Sequence, residues 1–331
     1  MLRFGIAGFG LHAVRRLMPG FKGAQRCVVT ALSRRDMEKA RQSATEYQIP
    51  HAFDSVSALA TCPEVDAVLV TSPNAVHLPD VLAVTAARKH VLLEKPMGLS
   101  AAEAAKMVDA AERAGVKLGV AQVFRFEHTT RRLREMIASC EIGRIVFARS
   151  EFSFPGWEHH RTWLTDKSLA GGGPIADVGI HCIDALRFIL QDEVAAVQTF
   201  GFNDANSGEV EAAASLNLKF ASGTLGIVQV SFRASYRTPL EFVGEKGTLR
   251  IQDGLTVDRP VTLELLRDGE IVQSEELFNQ NAYSLQVDSF ADWVEGRGEF
   301  PAPGTDGLRN QRILDAAYES LRARDHRAIS L

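Results

Sequence analysis

A glycine loop set directly behind a short apolar run limits what the start of this chain can fold into. Residues 2–7 are apolar and end in Gly8-Phe9-Gly10-Leu11-His12-Ala13, a G-x-G-x-x-A pattern. Further apolar runs follow at 26–32, 66–70, 90–93 and 116–121. Between them, 36–47, 74–88 and 100–114 carry helical spacing, and Ser100 with Glu103 three residues on forms a capping box. Strands alternating with helices of this length predict βαβ units, that is, a doubly wound parallel sheet covered on both faces.

The texture changes after Ala121. A helix over about 127–139, a strand over 144–154, a Gly-rich turn at 171–173 and a helix over 175–190 are expected. From about 194 to 273 strands follow one another without helices, including 212–220 and 224–232, as in an antiparallel sheet. Helices at about 281–295 and 305–323 close the chain. The fold class is thus α/β, a Rossmann domain at 1–121 followed by an α+β domain at 122–331 with a large, open, mostly antiparallel sheet. The last helix is expected to pack back on the first domain. A length of 331 residues suits two domains.

Composition narrows the function classes. With 37 Lys+Arg against 41 Asp+Glu the net charge is −4, which gives no footprint for nucleic acid. No apolar stretch is long enough for a bilayer span, so no membrane partner is expected. Cys27, Cys62, Cys140 and Cys182 lie far apart and read as four reduced thiols of a cytoplasmic protein. The adjacent His159 and His160 find no second ligand cluster, so no metal is expected.

The loop residues Gly8, Phe9, Gly10, Leu11 and Ala13 are candidates for dinucleotide binding. The first glycine permits the sharp turn, the second lets the backbone approach a pyrophosphate, and the small third residue lets helix and strand pack closely. The phosphates then rest on the helix N-terminus. About 20 residues on, where NAD enzymes place an acid for the ribose 2′-hydroxyl, this chain has Ser33, Arg34 and Arg35. A hydroxyl and two guanidinium groups suit a 2′-phosphate, so NADP is preferred over NAD. Asp36 is the carboxylate that would serve NAD instead.

Two further segments stand at carboxyl ends of expected parallel strands, where ligands bind in open α/β sheets. They are Thr71-Ser72-Pro73-Asn74-x-x-His77 and Glu94-Lys95-Pro96. Together with Gly171-Gly172-Gly173-Pro174 and Asp177-x-Gly179-x-His181-x-x-Asp184, they resemble the Gfo/Idh/MocA oxidoreductases over nearly the whole length. The resemblance implies that Lys95, Asp177 and His181 are the catalytic group, with Glu94 beside the nicotinamide ribose. Thr71, Ser72, Pro73, Asn74, His77, Pro96 and Gln122 are the remaining candidates around the cofactor.

The chemistry of those residue types agrees. Asp177 and His181, four apart, share one face of a helix, so the carboxylate can orient the imidazole for proton transfer. The Lys95 ammonium can stabilise a developing alkoxide. Arg125, Trp157, Arg161 and Trp163 are candidate contacts, with Lys95, Asp177 and His181, for a small polyhydroxylated substrate such as a sugar or cyclitol. The resemblance also implies a homodimer or homotetramer. It leaves open an NAD-dependent glycosidase with transient redox and a cofactor-sensing regulator on the same scaffold.

Replacing Arg34 by Asp is expected to move the ratio of kcat/KM values for NADP and NAD toward NAD by about tenfold or more, the worth of one charge-assisted hydrogen bond. Steady-state kinetics with both cofactors checks this; an unchanged ratio contradicts the 2′-phosphate assignment.

Overall fold

The computed structural model describes residues 1–156, 162–205 and 207–323. Its elements in chain order are β1 (Leu2–Ala7), α1 (Met18–Gly23), β2 (Cys27–Ser33), α2 (Met37–Tyr47), β3 (His51–Phe53), α3 (Val56–Ala60), β4 (Ala67–Val70), α4 (His77–Ala86), β5 (His90–Leu93), α5 (Ala101–Ala114) and β6 (Leu118–Val120). There follow α6 (His128–Ala138), β7 (Ile145–Ser153), α7 (Lys167–Ala170), α8 (Ile180–Leu190), β8 (Val194–Phe202), β9 (Ala213–Phe220), β10 (Leu225–Ser231), β11 (Leu240–Gly244), β12 (Gly247–Ile251), β13 (Arg259–Arg267), β14 (Glu270–Asn279), α9 (Ala282–Val294) and α10 (Gly304–Ala323). Two π turns, Ala13–Leu17 and Ile175–Gly179, lead into α1 and α8.

Two compact units divide these elements. Met1–Phe126 and Asn281–Gln311 form the first, Glu127–Gln280 and the residues from Arg312 onward the second. The chain leaves the first unit near Phe126 and re-enters it at Asn281, a return that a single cut near Ala121 does not describe. The division falls within α10, whose opening turns belong with the first unit.

In the first unit six parallel strands run in the order β3-β2-β1-β4-β5-β6, the doubly wound arrangement. Burial on both faces explains why β4 and β5 read as uninterrupted apolar runs. Val68, Val70, Val91 and Leu93 are fully buried with Val81 and Val84 of α4 and Ala104 and Met107 of α5. The Ser100 hydroxyl accepts from the Glu103 amide at 3.3 Å, as the capping box predicts. The Glu103 carboxylate reaches one residue further back than the box requires, accepting from the Leu99 amide at 2.8 Å. β3 and α3 were too short to stand out in the sequence.

In the second unit eight strands run β14-β13-β12-β11-β7-β10-β9-β8, antiparallel throughout except where β7 and β10 pair in parallel. Inward residues alternate with outward ones along β9, where Ala214, Leu216, Leu218 and Phe220 are buried. The same unit holds α8, whose residues from Ile180 to Arg187 are all buried. Among the described residues no helix is long and apolar enough to cross a membrane, and no cluster of three His, Cys, Asp or Glu could hold a metal ion.

The glycine turn ahead of α8 is tightly enclosed within that unit. A Cβ on Gly172 would lie 1.7 Å from the Tyr318 hydroxyl, and one on Gly173 2.3 Å from the Glu211 carbonyl oxygen. Gly172→Ala is therefore expected to lower the unfolding free energy by about 1–3 kcal/mol, as overpacking does. Gly298→Ala, with nothing within 4 Å of the new methyl group, stays within about 0.5 kcal/mol. Urea denaturation of the two variants checks the contrast.

Candidate active site

In the first unit the site is built at the point where strand order reverses, between β1 and β4. Gly8 turns the chain with φ +78°, and a Cβ there would come within 2.8 Å of the Ser72 amide nitrogen. Only glycine satisfies both demands. The Thr71 hydroxyl, 3.1 Å from the Ala7 carbonyl and 2.9 Å from that of Gly8, ties the two strand ends together. At Gly10 a Cβ would meet only the Gly8 carbonyl, at 3.6 Å. The space above it is the cradle a pyrophosphate needs. The Val14 amide donates to the Gly10 carbonyl at 3.1 Å, so the amides before it form the helix's first turn, the place for an anion. The residues present therefore fit a dinucleotide.

Phe9 and Leu11 part company. The Phe9 amide donates to the Ser33 carbonyl at 3.0 Å and its ring is buried against Tyr47, whereas Leu11 is exposed. Phe9 thus supports the loop from beneath. Ser33 is buried, Arg34 half-buried and Arg35 exposed at the end of β2. The Arg34 guanidinium donates to the Ser43 hydroxyl at 2.8 Å, which fixes it to α2. Asp36 is the N-cap of α2, accepting from the Lys39 amide at 3.1 Å. That hydrogen bond and the Lys39 ammonium hold its carboxyl below the usual range. The acid that could have served NAD is engaged in capping.

Behind β4, Pro73 and the buried Asn74 open a 3₁₀ turn that continues into α4. The Ser72 hydroxyl donates to Asp80 at 2.6 Å, and burial pushes that carboxyl up. His77, a candidate around the cofactor, is held between two loops. Its side chain is fully buried, with Nδ1 facing the carbonyls of Pro96 (3.0 Å) and Met97 (3.2 Å) and Nε2 facing that of Ser72 (2.8 Å). Carbonyl oxygens only accept, so the ring serves both sides fully when doubly protonated, while burial holds it below its ordinary range. It is a brace between two loops.

Glu94 and Lys95 follow β5, and the Lys95–Pro96 bond is cis. Glu94 is joined to the glycine loop, its Oε1 lying 2.9 Å from His12 Nε2. Burial pushes its carboxyl up, but His12 and Lys95 outweigh burial and hold it below the usual range. His12 was not singled out in the sequence, because any residue satisfies that position of the loop pattern. Gln122 is buried after β6. Arg125, a candidate substrate contact, is 5% exposed and ion-paired with Asp306, and a further bond to the Pro301 carbonyl ties it to 281–311.

In the second unit Asp177 lies in the π turn and His181 in the first turn of α8, both buried. The expected regular helix is thus interrupted, and the wider i→i+5 turn sets the spacing of the two residues. The His181 ring stacks on Phe152 of β7 with centroids 6.2 Å apart. The turn is capped from inside by Glu211, which the sequence did not single out. Its carboxylate accepts from the Gly173 amide at 3.1 Å, the Ile175 amide at 2.9 Å and the Tyr318 hydroxyl at 3.0 Å. Burial pushes this carboxyl up against those bonds. Asp184 is buried one turn beyond His181, and Trp163 is half-buried. Trp157 and Arg161 lie outside the described residues.

Comparison with known proteins follows the same division. Residues 2–122 match the model of the oxidoreductase family with an NAD-binding Rossmann fold, and 130–250 that of the GFO/IDH/MocA C-terminal domain. The chain is 32% identical to 1,5-anhydro-D-fructose reductase of Ensifer adhaerens, over 93% of this chain and 92% of that protein. It is 33% identical to an NADP(+) D-xylose 1-dehydrogenase of Haloferax volcanii, over 96% and 97%. The crystal structure of aldose-aldose oxidoreductase from Caulobacter crescentus, complexed with glycerol, superposes with a TM-score of 0.89 at 26% identity, covering 98% of both chains. Matches of this extent in both parts, with relatives above 30% identity along almost the full length, place the chain in the GFO/IDH/MocA family of oxidoreductases.

Proposed function

We propose that this oxidoreductase uses NADP to interconvert a hydroxyl and a carbonyl group on a sugar, cyclitol or related polyol, with Lys95, Asp177 and His181 handling the proton. The observation that supports the reading is the Glu94–His12 contact, which joins the Glu-Lys-Pro segment to the glycine loop. Relatives that act on anhydrofructose and xylose support the substrate class, and the NADP-dependent xylose enzyme supports the cofactor. Arg34 and Arg35 beyond β2, with Asp36 engaged in its cap, favour a 2′-phosphate in the same sense.

When bound, the nicotinamide accepts or supplies the hydride. Lys95 presents a compact ammonium to the substrate oxygen and lowers the cost of its negative charge during transfer. His181 takes the hydroxyl proton in oxidation and returns it in reduction. Asp177, four residues before His181, is the carboxylate that would orient the imidazole. Stacking on Phe152 limits the ring's rotation.

The open face of the second unit's sheet supports a homo-oligomer. Phe147, Phe202 and Leu225 stand on it with 43%, 55% and 47% exposure, large apolar side chains that a second copy of the chain would cover. A Phe147→Asp, Phe202→Asp double variant is expected to sediment as a smaller species than the wild type; equal sedimentation contradicts this interface.

Lys95→Ala and His181→Ala are each expected to lower turnover by about 10²-fold or more while circular dichroism stays unchanged. A 340 nm assay of NADPH with aldoses, ketoses, dicarbonyl sugars and inositols provides the measurement. Full rates in both folded variants contradict the assigned roles.

A further inference from the structure

We propose that His12 is a further cofactor-site residue of this chain: its protonated ring is the counter-charge that neutralises the Glu94 carboxylate when an anionic dinucleotide enters the glycine loop. The inference rests on the dinucleotide reading above.

The glycine loop is built to receive phosphate, yet a carboxylate stands against it. Glu94 Oε1 is 2.9 Å from His12 Nε2, and His12 occupies the position just before Ala13 in the loop. The Glu94 side chain is 13% exposed and that of His12 37%. A carboxylate so poorly solvated would repel an incoming pyrophosphate. An imidazolium 2.9 Å away turns the pair neutral and leaves the amides of the first helical turn to attract the anion.

The surroundings narrow the choice of counter-charge. Lys95, beyond Glu94, also bears on the carboxylate, but the proposed chemistry places its ammonium at the substrate oxygen. His77 interacts with Glu94 from behind and is itself buried and held below its ordinary range. Arg15 and Arg16 lie on His12's own helical segment, in its last turn. From α9 the ring of Tyr283 packs edge-on against His12, centroids 6.2 Å apart. His12 is the group whose partner is Glu94 itself.

The test compares NADP binding by isothermal titration calorimetry for the wild type, His12→Gln and His12→Lys, all at about pH 6 and fixed salt, where an ordinary imidazole is charged. Glutamine keeps a donor for Glu94 without the charge; lysine keeps the charge. His12→Gln is expected to bind about fivefold more weakly than the wild type, the low end of usual coupling, and His12→Lys as tightly as the wild type. Glutamine binding as tightly as the wild type, or lysine as weakly as glutamine, overturns the counter-charge role while the dinucleotide reading stands. Failure of the wild type to bind NADP overturns both.

Discussion

The first unit depends on how closely the ends of β1 and β4 approach each other. Gly8 sits against the Ser72 backbone, and the Thr71 hydroxyl bonds back to the carbonyls of Ala7 and Gly8. Those contacts set the separation of the two loops at the strand-order reversal. The carboxyl ends of neighbouring strands then supply everything else: Arg34 after β2, Asn74 and His77 after β4, Glu94 and Lys95 after β5. His77 extends the arrangement by gripping Ser72 on one side and Pro96 and Met97 on the other. Backbone carbonyls rather than side chains are its partners, so the ring fixes the course of the chain at both ends of its reach.

The second unit solves a comparable problem with a buried acid. A turn of three glycines has little preference for one shape, because glycine loses more backbone freedom on ordering than any other residue. Glu211 supplies the preference. One carboxylate receives the Gly173 amide of that turn, the Ile175 amide just after it and a phenol from α10, and the bulk of Tyr318 leaves no room for a Cβ at Gly172. The small residues are thus required by what surrounds them. The position of Asp177, whose amide donates to the Gly173 carbonyl, follows from that enclosure.

Much of this was legible in the chain because its signals are local. The glycine loop, the Ser100 cap and the apolar runs of β4 and β5 each lie within a few residues and formed as expected, although Glu103 bonds the Leu99 amide and not that of Ser100. What escaped the sequence is long-range. His12 and Glu94 are 82 residues apart, Arg125 and Asp306 181, and Tyr318 and Glu211 107. No periodicity or spacing marks such partners. Arg125 illustrates this: its place just past a Rossmann strand is visible in the chain, whereas its burial and its acid are not. The return of 281–311 to the first unit escaped for the same reason, since α9 has an ordinary amphipathic sequence.

The π turn before α8 carries one residue more than a regular turn of helix would. Seen from the chain, it acts as an insertion that the fold has absorbed. Each residue of an α-helix advances about 100° around the axis. Removing one residue from 175–179 would close this turn to a regular one and leave α8 in phase with its surroundings, with His181 still on Phe152. The residues of the turn itself, Asp177 among them, would lose the placement that the extra residue gives them. Loss of a single codon could silence the proposed chemistry in a protein that still folds.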